Sequence, residues 1–168
     1  MTFKYFLDCI VYEYKRNIFW KSRLILLLFR ISNFFALNGR VGLLFGAPFI
    51  LLQIFVCEWL LGVEIHPKTR IGRGFVIYHG VGMVINGYSV IGDNFVVRQG
   101  CCIGNKILGD GALSGAPIIG NNVELGFNSG IIGDVRVGDR VVVGANSIVT
   151  KDCVADGIYA GCPATRIK

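Results

Sequence analysis

Two histidines occur in this 168-residue chain, and one of them, His79, stands where a base would be useful. It lies in Ile77-Tyr78-His79-Gly80-Val81-Gly82-Met83-Val84, among glycines that let a backbone corner open. An imidazole there can take a proton from a hydroxyl near neutral pH. Glu64 lies fifteen residues earlier. If the chain winds in coils of about eighteen residues, Glu64 falls nearly one coil below His79. Its carboxylate would then hold one ring nitrogen protonated and leave the other free. The plainer alternative is a surface histidine and a solvated carboxylate. His66, followed by Pro67, is expected to pack and bond locally at the first turn. Two histidines cannot build a three-histidine zinc site, and none of the six cysteines shows CxxC spacing, so no metal is expected.

The elements that must carry His79 are written in a six-residue rhythm. Ile65, Ile71 and Ile77 set the phase, and a two-residue slip resets it to Ile85, Ile91, Val97 and Ile103. After an interruption it resumes at Ile119, Leu125, Ile131, Val137, Val143 and Val149. Glycine follows seven of these thirteen positions. A period of six fits a parallel β-helix of short flat sides, with the aliphatic residue inside and a small residue at the next corner. The slip contains His79. The interruption, residues 105–118, is rich in Gly and Ala, and is either a functional loop or a tolerated insertion.

Residues 1–62 lack the rhythm and are rich in Phe, Leu and Trp. Helices are expected at 3–16, 18–35 and 41–61, with a break at Asn38-Gly39 and a kink or restart at Gly46-Ala47-Pro48. Three roles remain open for this segment. It caps the solenoid and joins subunits, or it touches a membrane, or the apolar run Val41–Cys57 spans one. In the second, Ile18, Phe19, Trp20, Leu24, Leu27 and Leu28 meet lipid, with Arg16, Lys21, Arg23 and Arg30 at the headgroups. The net charge is +6, of which +4 lies in residues 1–62. No nucleic-acid motif accompanies it, so nucleic acid is not an expected partner. The cysteines read as small buried hydrophobes in a reducing compartment. Asp8 and Glu13 around a short apolar run make a poor secretory signal.

The stretch Gly62-Val-Glu-Ile-His-Pro-Lys-Thr-Arg-Ile-Gly-Arg-Gly-Phe-Val-Ile-Tyr-His-Gly80 resembles the hexapeptide-repeat acyltransferases, in particular their serine acetyltransferase-like branch. The closing Ala160-Gly-Cys-Pro-Ala-Thr-Arg-Ile167 resembles the segment that ends many of them. Leu28–Phe34 and Glu58–Ile65 are similar to a narrower set, the small acetyltransferases of bacterial exopolysaccharide, colanic-acid-type and capsule pathways.

The resemblance implies a mainly β fold, a left-handed parallel β-helix over residues 63–168 behind a helical segment at 1–62. It also implies a homotrimer, with acetyl-CoA bound between neighbouring subunits. His79 is then the general base and Glu64 its partner, where serine acetyltransferases have Asp. Gly104 and Asn105 would meet the oxyanion. Phe127, Asn128, Gly144 and Ala145 would line the acetyl-CoA cleft, and Arg166 and Lys168 would meet its phosphates. Tyr78, Asn86 and Arg98 are expected to contact the acceptor.

Serine acetyltransferases carry an Arg-His-Pro segment in the interrupting loop and Asp before the catalytic histidine. Here these places hold Gly115-Ala116-Pro117 and Tyr78. A site without those charges holds free serine poorly. The expected reaction is therefore O-acetylation of a sugar hydroxyl in polysaccharide biosynthesis, on an acceptor that is free, nucleotide-linked or lipid-linked. The expected location is cytoplasmic, with contact to the inner face of the membrane as one option. The alternatives are acetylation of serine or another small molecule, and a catalytically silent trimeric scaffold.

Overall fold

The computed structural model describes all residues 1–168. Three helices lead: α1 (Phe3–Arg16), α2 (Trp20–Leu37) and α3 (Gly39–Gln53). α3 runs on into a π-helical stretch, Ile54–Leu60. Asn38 separates α2 from α3 as expected, whereas Pro48 sits inside α3 without ending it.

The rest is a parallel solenoid of three sheets. The first holds β1 (Val63–Ile65), β4 (Met83–Ile85), β7 (Cys102–Gly104), β10 (Gly130–Ile132) and β13 (Ile148–Val149). The second holds β2 (Arg70–Ile71), β5 (Val90–Ile91), β8 (Ile118–Ile119) and β11 (Arg136–Val137). The third holds β3 (Val76–Tyr78), β6 (Val96–Arg98), β9 (Glu124–Leu125), β12 (Val142–Val143) and β14 (Ile158–Gly161). It ends in the antiparallel β15 (Ala164–Arg166).

The register converts the sequence rhythm into coils. Val84 pairs with Cys102 and Gly130 with Ile148, both coils of eighteen residues. Glu64 pairs with Val84, a coil of twenty, because the slip around His79 adds two residues. Cys102 pairs with Gly130, a coil of twenty-eight, because the loop after β7 adds ten. That loop folds on itself as a small hairpin, with Ile107 bridged to Leu113 and the Ser114 N–H donating to the Lys106 carbonyl at 2.8 Å.

All thirteen rhythmic residues are buried in one core. Burying each contributes about 1.5–3 kcal/mol relative to exposure. Phe75, Phe95, Val123 and Val141 form a second buried row. Corners between coils leave little room: a Cβ on Gly126 would lie 2.5 Å from the Ala145 nitrogen.

A solenoid has an open lower edge whose backbone groups must bond somewhere. The helices close it. Gln53 donates to the Ile65 carbonyl at 2.6 Å, and Asn33 to the Pro67 and Thr69 carbonyls at 2.7 and 2.9 Å. Asn17 donates to the Phe75 carbonyl at 3.0 Å and accepts from the Ile77 N–H at 2.9 Å. Arg30 is buried, paired to both oxygens of buried Glu13, and donates to the Ile71 and Gly72 carbonyls at 2.8 and 2.6 Å. Glu13 in turn accepts from the Gly74 and Phe75 N–H groups.

Arg30 is therefore no headgroup ligand, correcting the sequence expectation. Its charge is used to seal the first coil. Ile25, Leu26, Phe29 and Cys57 share the solenoid's core, so the helices and the coils are built around one apolar interior. Two cysteines also depart from expectation: Cys102 and Cys162 are exposed, Cys102 because its neighbour Ile103 takes the inward position.

Candidate active site

β3 delivers His79 at the corner between the third and first sheets. The residue is left-handed, with φ of 64°, and Gly80 and Gly82 after it are also at positive φ. A side chain in that region is strained by about 1–2 kcal/mol and persists where its surroundings over-determine it. Here they do. The Gly82 N–H donates to the Gly62 carbonyl at 2.7 Å, and the Gly100 N–H to the Val81 carbonyl at 2.9 Å, so the corner is stacked between coils.

From below, Ser22 donates to the Ile77 carbonyl at 2.8 Å and Asn17 bonds the same strand. Phe19, between them in the chain, lays its ring on the imidazole with centroids 4.7 Å apart. The His79 side chain is exposed, and its nitrogens bond to no group of the same chain.

Glu64 lies on β1, facing outward from the flat first sheet. No hydrogen bond or ion pair joins it to His79. A fifteen-residue separation in a coil of twenty leaves the two a quarter-coil out of alignment. Its electrostatic neighbours are Glu58 and Cys102. Partial desolvation against the sheet first, and then the Glu64 carboxylate, push the Glu58 carboxyl and the Cys102 thiol up from their ordinary values, although the Cys102 side chain still reaches solvent.

The expected acetyl-CoA residues fall along the edge of the prism that His79 begins. Successive corners are stacked there by the Asn128 N–H to the Gln99 carbonyl and the Asn146 N–H to the Phe127 carbonyl, both 2.9 Å. Phe127, Asn128, Gly144 and Ala145 thus lie above the His79 corner over about three coil rises, roughly 14 Å. Arg166 and Lys168 lie at the far end of the third sheet, where β15 turns back on β14.

Tyr78 and Arg98 meet beside His79, the guanidinium 4.9 Å from the ring centroid, and Arg98 continues to Glu124 at 2.8 Å. Asn86, Gly104 and Asn105 are on the other edge of the first sheet, where Asn86 donates to Asn105 at 3.2 Å. The site residues therefore divide between two edges of one sheet, with Glu64 on the face between them.

Asn17, Phe19 and Ser22 were not legible as site residues. Asn17 and Phe19 sit at the short break between α1 and α2, and Ser22 in the first turn of α2, with no spacing that ties them to His79.

Residues 116–151 match the family model "Bacterial transferase hexapeptide (six repeats)". WcaB of Escherichia coli K12, named as a colanic acid biosynthesis acetyltransferase, is 37% identical over 145 residues, covering 84% of this chain and 87% of WcaB. The serine acetyltransferase of Synechococcus elongatus is 39% identical over 110 residues. That match covers 64% of this chain and only 43% of the cyanobacterial enzyme. A solved serine acetyltransferase in complex with CoA superposes with a TM-score of 0.79 at 23% identity, covering 98% of this chain and 71% of that one, a likeness of fold.

Proposed function

Because this chain belongs to the hexapeptide-repeat transferases, we propose that it is an acetyl-CoA-dependent O-acetyltransferase acting on a sugar hydroxyl of a polysaccharide precursor. The observation that carries the sugar reading is the extent of the WcaB match. It covers 84% of this chain, more than the solenoid alone makes up, and spans 87% of WcaB. Tyr78 and Gly115-Ala116-Pro117 support it, since they offer no charge to the ammonium and carboxylate of serine. Serine acetylation is the second reading, favoured by the 39% identity to the Synechococcus enzyme.

His79 accepts the proton of the acceptor hydroxyl as the oxygen attacks the thioester carbonyl. The tetrahedral oxyanion forms, the C–S bond breaks, and the imidazolium returns its proton to the departing thiolate. The products are the acetyl ester and CoA. Proton transfer of this kind contributes about 10²–10⁴ in rate. Glu64 supports the imidazolium electrostatically from the adjacent face.

A closed threefold assembly sets one edge of each copy against the other edge of the next. That arrangement brings the His79 edge of one copy to the Asn86 and Asn105 edge of its neighbour, which completes the divided site. The exposed Ile107 and Leu113 on the hairpin give the neighbour an apolar contact. A peripheral lipid contact is also part of the proposal, carried chiefly by α3 and the π-helical stretch after it, while Ile18 and Trp20 near the start of α2 are exposed as well. Val41, Leu44, Phe45, Phe55 and Trp59 are exposed there, while Gln53 and Cys57 fasten the opposite face to the solenoid.

The deciding experiment supplies acetyl-CoA with a panel of sugars and with serine. It follows thiol release and identifies the product by mass. Acetylated sugar is expected, and rapid serine acetylation without sugar product would sink the assignment.

A further inference from the structure

Beside Glu64 a cleft of about 690 Å³ opens between the first two coils and the α2–α3 junction. His66, Lys68, Arg70, Tyr88 and Ser89 line it, and Glu64 is its one carboxylate. Lys68 and Arg70 flank buried Thr69, so both point outward from the same stretch, and neither is engaged in any ion pair of the chain.

His66 is fixed: its Nδ1 accepts the Lys68 backbone N–H at 3.1 Å, so the neutral ring carries its proton on Nε2 as a donor. The ring lies against Gly87, where a Cβ would come within 2.6 Å of Nδ1. The buried hydroxyl of Ser89 has no partner. Tyr88 is 83% exposed at the rim and offers an aromatic face. The volume suits a ligand far larger than an amino acid. Two unpaired cations and a fixed N–H donor suit an anion with several oxygens.

We infer that this cleft binds the diphosphate of a glycosyl-diphosphate acceptor, with Lys68 and Arg70 on the phosphates and Tyr88 against the sugar ring. The inference rests on the sugar reading of the active site and narrows it to a phosphate-linked sugar. The diphosphate belongs either to a nucleotide or to a polyprenyl lipid, and the chemistry of the cleft is common to both.

The test uses the full chain and its Lys68→Gln/Arg70→Gln variant, with Tyr88→Ala as a second variant and thermal melting as the check of folding. Binding of inorganic pyrophosphate is measured without acetyl-CoA. Kinetics are then compared for one sugar presented free, nucleotide-linked and polyprenyl-diphosphate-linked. The double variant should lose pyrophosphate affinity by about tenfold or more. Its KM for diphosphate-linked sugar should rise by a similar factor, with KM for free sugar and for acetyl-CoA unchanged. Tyr88→Ala should raise KM for every sugar form and leave pyrophosphate binding intact. The lower KM of the two linked acceptors identifies the source.

Unchanged pyrophosphate binding in a folded double variant overturns the cleft assignment while leaving sugar acetylation standing. A parallel rise in KM for acetyl-CoA overturns it as well, because the cleft would then hold the donor's phosphates. Acetylation of serine alone, with pyrophosphate binding still lost in the variant, overturns the acceptor reading and leaves an anion site.

Discussion

The ring of Phe19 rests on the ring of His79, with centroids 4.7 Å apart and planes inclined by 40°. One comes from the break between α1 and α2, the other from a strained corner sixty residues later. The contact fixes the direction of the imidazole without using either nitrogen. Phe19→Ala should lower kcat about tenfold with little change in KM for acetyl-CoA or in melting temperature, since the ring is itself partly exposed. Phe19→Tyr should restore the rate, because it keeps the aromatic ring against the imidazole. Equal rates in Phe19→Ala and wild type would remove the positioning role.

His79 itself separates chemistry from strain. His79→Ala and His79→Gly should both lose activity by about 10²-fold or more. They should differ in stability, because glycine relieves the left-handed strain that alanine keeps. His79→Gly is expected to be the more stable of the two by about 1 kcal/mol in denaturant melts. Equal stabilities would mean that the corner does not hold φ near 64° in solution.

Glu13 and Arg30 give a stability test. Each is buried, and removing one leaves the other's charge unpaired. Arg30→Met or Glu13→Leu alone should cost about 3–5 kcal/mol. The double variant should cost less than either single change predicts by addition. It should not recover fully, because the Ile71 and Gly72 carbonyls and the Gly74 and Phe75 N–H groups lose their partners too. Additive losses in urea unfolding would contradict a coupled pair.

This pair also marks the limit of what the sequence discloses. The thirteen aliphatic positions were legible because every coil repeats the same demand at a fixed interval. The slip at His79 and the loop after Ile103 were legible as departures from it. Arg30 was not, because its partners are a glutamate on another helix and two main-chain carbonyls about forty residues away. No local spacing encodes that. The length of the first coil was not legible for a related reason: the slip that presents His79 also lengthens that coil from eighteen residues to twenty, which sets Glu64 on the face beside the His79 corner.

Glu58 should leave a signature in pH. Burial, and then the Glu64 carboxylate, hold its folded pKa above the ordinary carboxylate value. The folded state therefore binds the Glu58 proton more tightly than the unfolded state. The resulting stability is present at acid pH and is lost as pH rises through the folded pKa. Glu58→Gln should raise the melting temperature relative to wild type at pH 7 and leave it nearly unchanged at pH 4. The opposite ordering would show that Glu58 gains a cationic partner in the assembled protein.

The outer face of α3 and of the π-helical stretch that continues it carries the last expectation. Leu44 is 74% exposed and Trp59 79%, and Val41, Phe45, Leu52 and Phe55 lie along the same side, with no charged residue between Arg40 and Glu58. By length and composition Gly39–Leu60 could cross a membrane, but buried Gln53 and Cys57 hold its inner face to protein. A helix so fastened can lie in the headgroup plane, with its apolar side in lipid and basic residues near the surface. Each such Lys or Arg adds about 1 kcal/mol toward anionic lipid, reduced by salt. Wild-type protein should float with anionic liposomes, and high salt should release only part of it, because the apolar contribution is insensitive to salt. Leu44→Asp/Phe45→Asp should abolish flotation without loss of sugar acetylation in detergent-free solution. Ile18→Asp/Trp20→Asp should leave flotation largely intact. Flotation that survives the first pair and fails with the second would move the lipid contact back to the α1–α2 junction.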